Sequence, residues 1–174
     1  MAPLLRRSWA PRGHPPPFQQ KVGHREKVSV AAALWLSPGW DRLHLAYQTL
    51  VNSYFSNVEV ADFLSEAVEG LPYPLLVLWD GGPMHKGHAL RQLVAQAQRP
   101  PLLERLPANA PKLMPVEPLW DWLKYGRLCN FAPRNAAHLN EAVIHELEAI
   151  RENHELLSHF WYLSDLPMPR TLLS

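Results

Sequence analysis

The sequence predicts an α/β domain in which a mixed sheet is flanked by helices. Strand-like apolar runs alternate along the chain with amphipathic stretches of helical period. The 174 residues are 47% hydrophobic and include seven tryptophans, enough to build a substantial core. One short apolar run, Leu75–Trp79, leads into an aspartate and two glycines, which is typical of a strand buried on both faces. The predicted order of elements is β-β-α-β-α-β-α-α.

Four segments have the patterns of strands. The first is an apolar run that ends at a Ser-Pro-Gly turn signal, and the second alternates apolar and polar residues, so the two predict a hairpin. The third is the run before Asp80, and the fourth is a short segment that follows Pro100 and Pro101. The predicted strands span residues 27–36, 41–50, 75–79 and 102–106.

Four segments have helical patterns. A serine or asparagine can cap the first helix, and a proline suits the first turn of the third. Apolar residues at helical spacing support the second and the last, whose acidic residues face outward. The predicted helices span residues 57–69, 85–98, 118–128 and 134–160.

Composition limits the classes of protein that fit the chain. The lone cysteine, Cys129, excludes an internal disulfide and a cysteine-based zinc site, and it suits a reducing cytoplasm. No apolar run approaches the length of a membrane span, about 18 residues, and there is no secretory signal pattern. We therefore expect a cytoplasmic protein with no membrane partner.

Charge and proline content predict three parts of the chain. Net charge is only +1, yet residues 1–27 carry six lysines and arginines against one acid. Such an arm either binds phosphate groups or is simply solvated. We predict a basic, proline-rich arm at 1–26, a core at 27–133 and a C-terminal helical segment at 134–174.

Two carboxylates are the candidates for chemistry. Asp80 lies where a strand ends, and Glu117 lies 37 residues further on, at the start of a helix. Carboxylates from separate elements that converge on one sheet edge can hold Mg²⁺ or Mn²⁺ for phosphoryl transfer. The alternative interpretation is a solvated loop acid and a helix-start glutamate favoured by the helix dipole. Asp121 is a rival ligand or a surface acid.

Two motifs around these acids resemble one family. Residues 75–85, LLVLWDGGPMH, and residues 106–124, LPANAPKLMPVEPLWDWLK, are similar to the two signatures of mariner-like insertion-sequence transposases. These transposases belong to the DDE superfamily and have an RNase H-like catalytic domain. The resemblance also covers the segments SWAPRGHPP (8–16) and LCNFAPRNAAHL (128–139), and so extends over nearly the whole chain.

The resemblance implies a fold, a reaction and roles for individual residues. The fold is an RNase H-like mixed sheet, with Asp80 and Glu117 as the second and third metal-binding acids of a two-ion site. The reaction is Mg²⁺- or Mn²⁺-dependent hydrolysis of a DNA phosphodiester, followed by attack of the freed 3′-hydroxyl on target DNA. The implied partners are transposon ends, target DNA and a second copy or a full-length transposase. His85 and Lys124 are candidates for DNA or carboxylate contacts, and their alternatives are a structural histidine and a surface lysine.

The chain departs from the family pattern at three places. Gly81 and Met114 stand where the family usually has asparagines, which removes two side-chain amides near the site. The family's first acid ends the first, central strand shortly before the Trp-Ala-Pro segment, but no aspartate precedes Asp41 here. Asp41 follows Pro-Gly-Trp in a predicted turn and is a poor substitute.

The absent acid leaves two main hypotheses. The chain is either a fragment of a transposase catalytic domain that lacks its first strand, or a catalytically dead remnant that binds DNA or full-length transposase. An unrelated metal nuclease or small-molecule enzyme is less well supported, because no GxGxxG or P-loop pattern is present. Without the first acid, we expect two-metal catalysis by this chain alone to be crippled.

Overall fold

The computed structural model describes residues 7, 9–14 and 26–167, so most of the predicted basic arm lies outside the described residues. The strands and helices are β1 Val28–Leu36, β2 Leu43–Val51, α1 Asn57–Gly70, β3 Leu76–Trp79, α2 His88–Gln96, β4 Leu102–Arg105, α3 Glu117–Asp121, α4 Ala136–Arg151 and α5 His154–Tyr162. Short 3₁₀ turns occur at Pro83–His85 and Pro111–Leu113, and a π-helical segment, Trp122–Arg127, continues α3. This architecture confirms the predicted α/β class and is consistent with an RNase H-like fold.

The strands form two separate pairs. β1 and β2 make an antiparallel hairpin whose register runs from Val28 opposite Val51 to Leu36 opposite Leu43. β3 and β4 are parallel, with Trp79 opposite Arg105 at their carboxyl ends. Both kinds of pairing predicted for a mixed sheet are present, but among the described residues no strand joins β1 to β3.

Each strand pair has its own hydrophobic cluster. The hairpin packs against α3, the π-helical segment, α4 and α5, and we call this the first cluster. Its fully buried members come from every one of these elements and include Leu43, Leu123, Leu139, Leu147 and Phe160. The second cluster joins α1 and α2 to β3 through Val60, Leu64, Leu90, Val77 and Trp79.

Local sequence explains why α1 begins where it does. The Ser56 hydroxyl accepts a hydrogen bond from the Val58 amide at 3.1 Å, and Glu59 accepts one from the Ser56 amide at 2.8 Å. Together these bonds form a capping box that satisfies amides left unpaired at the helix start. The predicted helix and its cap are therefore confirmed.

Two helix predictions were wrong in their bounds. The helix predicted to begin at His85 begins at His88, because Gly87 adopts a non-helical φ of 156°. Position 87 requires glycine, since a Cβ there would overlap the Asn57 side chain. The single helix predicted over 134–160 is divided at Asn153, whose side chain accepts from the Leu156 amide at 2.9 Å and caps α5. Within residues 26–167 no helix is long and apolar enough to cross a membrane.

The prediction that the Asp80 strand is buried on both faces was also wrong. Val77 and Trp79 face the second cluster, whereas Leu76 and Leu78 on the other face are 58% and 44% exposed. An apolar run does not reveal how many layers cover it, and here α1 and α2 cover only one face of the strand pair. The exposed leucines leave an uncovered apolar surface on β3.

The contact between Tyr47 on β2 and Glu148 on α4 predicts a loss of stability at alkaline pH. Burial first, and then the hydrogen bond to Glu148 and its charge, raise the pKa of Tyr47 to about 12. The unfolded tyrosine ionises near pH 10. The contribution of Tyr47 to the free energy of unfolding should therefore be constant below pH 10 and fall as pH rises from 10 to 12.

Urea denaturation at pH 9 and pH 11 measures this effect. Tyr47→Phe should lose about 1 kcal/mol at pH 9 through the missing hydrogen bond, and it should show less further loss at pH 11 than the wild type. Tyr162→Phe, at a tyrosine that is 67% exposed, is the control and should keep the wild-type difference. An equal alkaline loss in the Tyr47 variant and the wild type would contradict the assignment.

Candidate active site

Asp80 lies at the carboxyl end of β3, immediately after Trp79. Its Oδ1 atom accepts a hydrogen bond from the Gly82 amide at 2.8 Å and lies 3.0 Å from Nε2 of His85. The side chain is 59% exposed, and both contacts use Oδ1. Oδ2 of Asp80 is thus available to a ligand in solvent while Oδ1 fixes the orientation of the carboxylate.

His85 is held between an aromatic ring and the carboxylate. Its imidazole stacks on Trp79, with ring centroids 4.6 Å apart and an interplanar angle of 26°. Burial lowers the pKa of His85, and the charge and hydrogen bond of Asp80 oppose that shift only in part. Burial thus favours the neutral imidazole, whose Nε2 hydrogen is donated to Asp80 while Nδ1 is buried without a hydrogen-bond partner.

The two glycines after Asp80 allow this loop to close. A Cβ on Gly82 would lie 2.9 Å from Oδ1 of Asp80 and 3.3 Å from the His85 ring, inside ordinary contact distance. A Cβ on Gly81 would overlap the guanidinium of Arg105, which extends from the end of β4. Gly82 thus leaves room for His85 to fold back onto Asp80. Gly81 leaves room for Arg105 to lie across the backbone beside Asp80.

Glu117 lies on a different element, in the first turn of α3. Its side chain is exposed, and its amide donates to the Met114 carbonyl at 3.0 Å. Leu119 and Leu123 anchor this helix in the first cluster, and Trp122 contacts Phe160 edge-on at 6.2 Å. These contacts fix the segment that carries Glu117.

Lys124 lies in the π-helical segment rather than on a regular continuation of α3. α-Helical spacing would put it on the face of Glu117, two turns further on, and a π segment has more residues per turn than an α-helix. The position of Lys124 relative to Glu117 is therefore set by the π segment and not by the α-helical repeat.

The structure brings some of the candidate residues together and not others. It pairs Asp80 with His85, but Asp80 belongs to the second cluster's strand pair and Glu117 to a helix of the first cluster. Across residues 7, 9–14 and 26–167 there is no group of three or more His, Cys, Asp or Glu side chains that could hold a metal ion. Asp41 is bonded to the Ser37 hydroxyl in the hairpin turn, and that bond lowers the pKa of Asp41.

Sequence reasoning missed Arg105. It is the last residue of β4, directly opposite Trp79 in the parallel register, so it ends at the same sheet edge as Asp80. The signal was present, because a cation ended the predicted strand next to the one that carries the acid. The guanidinium is exposed and forms no ion pair within the described chain.

Open α/β sheets place their ligand and active sites at the carboxyl ends of strands, which is where Asp80 lies. The family described as DDE superfamily endonuclease matches residues 2–139. The chain belongs to this family and contains a transposase-type DDE domain. The family implies a DNA substrate, and its members generally use divalent metal ions. Neither a curated protein nor a solved structure matches the chain.

Proposed function

We propose that this chain is the catalytic domain of a mariner-like insertion-sequence transposase, and that it takes part in cleaving DNA strands and transferring them to target DNA. The observation that carries the proposal is the geometry of Asp80 inside the family-matched region. The carboxylate stands at a strand end, where His85 and the Gly82 amide hold one oxygen and leave the other available.

Asp80 and Glu117 are the residues we propose to hold Mg²⁺ or Mn²⁺. Oxygen donors suit these hard cations, and the free Oδ2 of Asp80 and the exposed Glu117 carboxylate are both accessible. In the complete family site, two such ions supply charge neutralisation at the attacking and leaving oxygens. The residues present fit part of that ligand set.

The protein's own groups orient the reaction. Neutral His85 fixes one carboxylate oxygen of Asp80, so the other points to one place rather than rotating freely. A water oxygen bonds to the scissile phosphorus as the bond to the 3′-oxygen breaks, and the leaving oxygen takes up a proton as the 3′-hydroxyl. That hydroxyl then attacks a target phosphodiester, so that one bond forms and one breaks in each step. We assign Lys124 a contact to a DNA phosphate near Glu117.

We further propose that the site is completed by another strand, ending in an acid, between β1 and β3. Each of these strands has one neighbour among the described residues, and an unpaired strand edge readily accepts a further strand. The two separate hydrophobic clusters also suit a sheet that lacks a member. The third carboxylate needed for a metal cluster would arrive with that strand.

A plasmid-cleavage assay tests the function. We expect the chain alone to nick supercoiled DNA weakly or not at all in Mn²⁺, and a version preceded by an apolar strand ending in aspartate to nick it readily. The matched control carries the same added strand with asparagine in place of that aspartate, which keeps the sheet contacts and removes the charge. Equal inactivity of the aspartate and asparagine versions, with both folded, would overturn the proposal of a completed active site.

A second candidate is a remnant that binds DNA or a full-length transposase without cleaving. The absence of a three-residue metal cluster from the described part of the chain favours it. Under this alternative, binding to DNA weakens steeply as salt concentration rises, while cleavage stays absent in every version. The same plasmid assay, combined with binding at several salt concentrations, separates the two functions.

A further inference from the structure

Positive charge is concentrated around the chain that follows Asp80. Residues 81–103 contain Lys86, Arg91 and Arg99 and no acid. Glu104 comes next, but neighbouring residues of a strand point to opposite faces, so Glu104 projects away from the face that carries Arg105. The segment that follows Asp80 is therefore basic along its length.

Arg105 is placed differently from three other arginines of the described chain. Arg127 forms an ion pair with Glu146 at 2.7 Å, Arg151 pairs with Glu148, and Arg99 donates to the Leu71 carbonyl at 3.0 Å. Arg105 instead lies across the backbone at Gly81, the residue after Asp80. None of the ion pairs among the described residues includes this guanidinium.

A groove adjoins the same sheet edge. Its volume is about 400 Å³, and its floor is formed by apolar side chains of α2 together with Leu103 of β4. Lys86 and Arg91 line it, and His85 connects it to Asp80. Leu103 is two residues before Arg105, so both side chains project from the same face of β4. The Arg105 guanidinium therefore lies on the face of β4 that lines the groove.

We propose that Arg105 binds the DNA phosphate next to the one that reacts at Asp80, and that the groove lined by Lys86 and Arg91 carries the adjoining strand. A planar guanidinium can donate two parallel hydrogen bonds to one phosphate, which suits a contact that sets register. The apolar floor accommodates sugar and base surfaces between the charged contacts. This inference rests on the proposed function, because it names the substrate contacts of the same site.

Binding of a fluorescently labelled DNA duplex, measured by anisotropy in EDTA at several salt concentrations, tests the inference without requiring catalysis. Arg105→Gln should weaken binding about 10-fold and reduce the slope of log affinity against log salt by about one. Arg42→Gln removes the same charge from the exposed hairpin turn and should change affinity less than about 2-fold. Circular dichroism confirms that each variant is folded.

Gly81→Ala provides a second variant with unchanged charge. Its new Cβ displaces the Arg105 guanidinium, so it should weaken binding in the wild-type background and have little effect when combined with Arg105→Gln. Equal behaviour of the Arg105 and Arg42 variants, or no DNA binding by the wild type, would overturn the inference. DNA binding that depends on Arg105, but with no cleavage even after strand addition, would instead support the contact and remove the proposed catalytic function.

Discussion

Replacing Asp80 with asparagine is expected to abolish metal-dependent DNA cleavage by the strand-completed protein, with a rate loss of about 1,000-fold. The substitution keeps the size of the side chain and its ability to accept hydrogen bonds from Gly82 and His85. It removes the negative charge that a divalent ion requires. The loss should therefore reflect chemistry rather than folding, and thermal unfolding of the variant should change by only a few degrees.

A readout other than cleavage locates the ion itself. Fe²⁺ substituted for Mg²⁺ generates radicals with peroxide that cut the polypeptide next to the metal. We expect cuts near residues 80 and 117 in the wild type and their loss in Asp80→Asn. Asp121→Asn, on an exposed acid one turn beyond Glu117, is the matched control and should keep both cuts. Loss of the cuts in Asp121→Asn together with their retention in Glu117→Gln would show that Asp121, and not Glu117, is the ligand on that helix.

The local elements could be predicted from sequence because their signals are local. The β1–β2 hairpin follows from alternation and a turn signal, and the start of α1 follows from the Ser56 capping box. Errors arose where a single residue overrides a helical pattern. Gly87 delays α2 through its backbone conformation, and Asn153 divides the last helix by capping α5.

The candidate site could be predicted only in part, for a related reason. Asp80 is recognisable because an acid that ends an apolar run must be solvated, paired or bound. Its pairing with His85 depends on a turn that also stacks the imidazole on Trp79, and no periodicity encodes that contact. Arg105 depends on the parallel register of β3 and β4, which joins residues far apart in sequence. The burial of β3 was overestimated because an apolar run does not indicate whether other elements cover one face of the strand or both.

The two hydrophobic clusters predict that the chain unfolds as two separate units, one around each cluster. Leu147, fully buried on α4, lies in the first cluster, whereas Leu64 on α1 lies in the second. Leu147→Ala should destabilise the unit of β1, β2, α4 and α5 by about 2–5 kcal/mol, because it removes buried methyl groups and leaves a cavity. The unit of α1, α2, β3 and β4 should be affected far less, since no strand joins the two pairs among the described residues.

Native-state hydrogen exchange resolves the two units. In Leu147→Ala, amides of α4 and β2 should exchange faster while those of α1 keep their wild-type protection, and Leu64→Ala should give the reverse pattern. The double variant should show the sum of the two effects, because side chains without shared partners behave additively. Equal acceleration of exchange throughout the chain in both single variants would mean that the clusters unfold as one. After the proposed strand is added between β1 and β3, each single variant should accelerate exchange in both units. Shared backbone hydrogen bonds would then couple the two units.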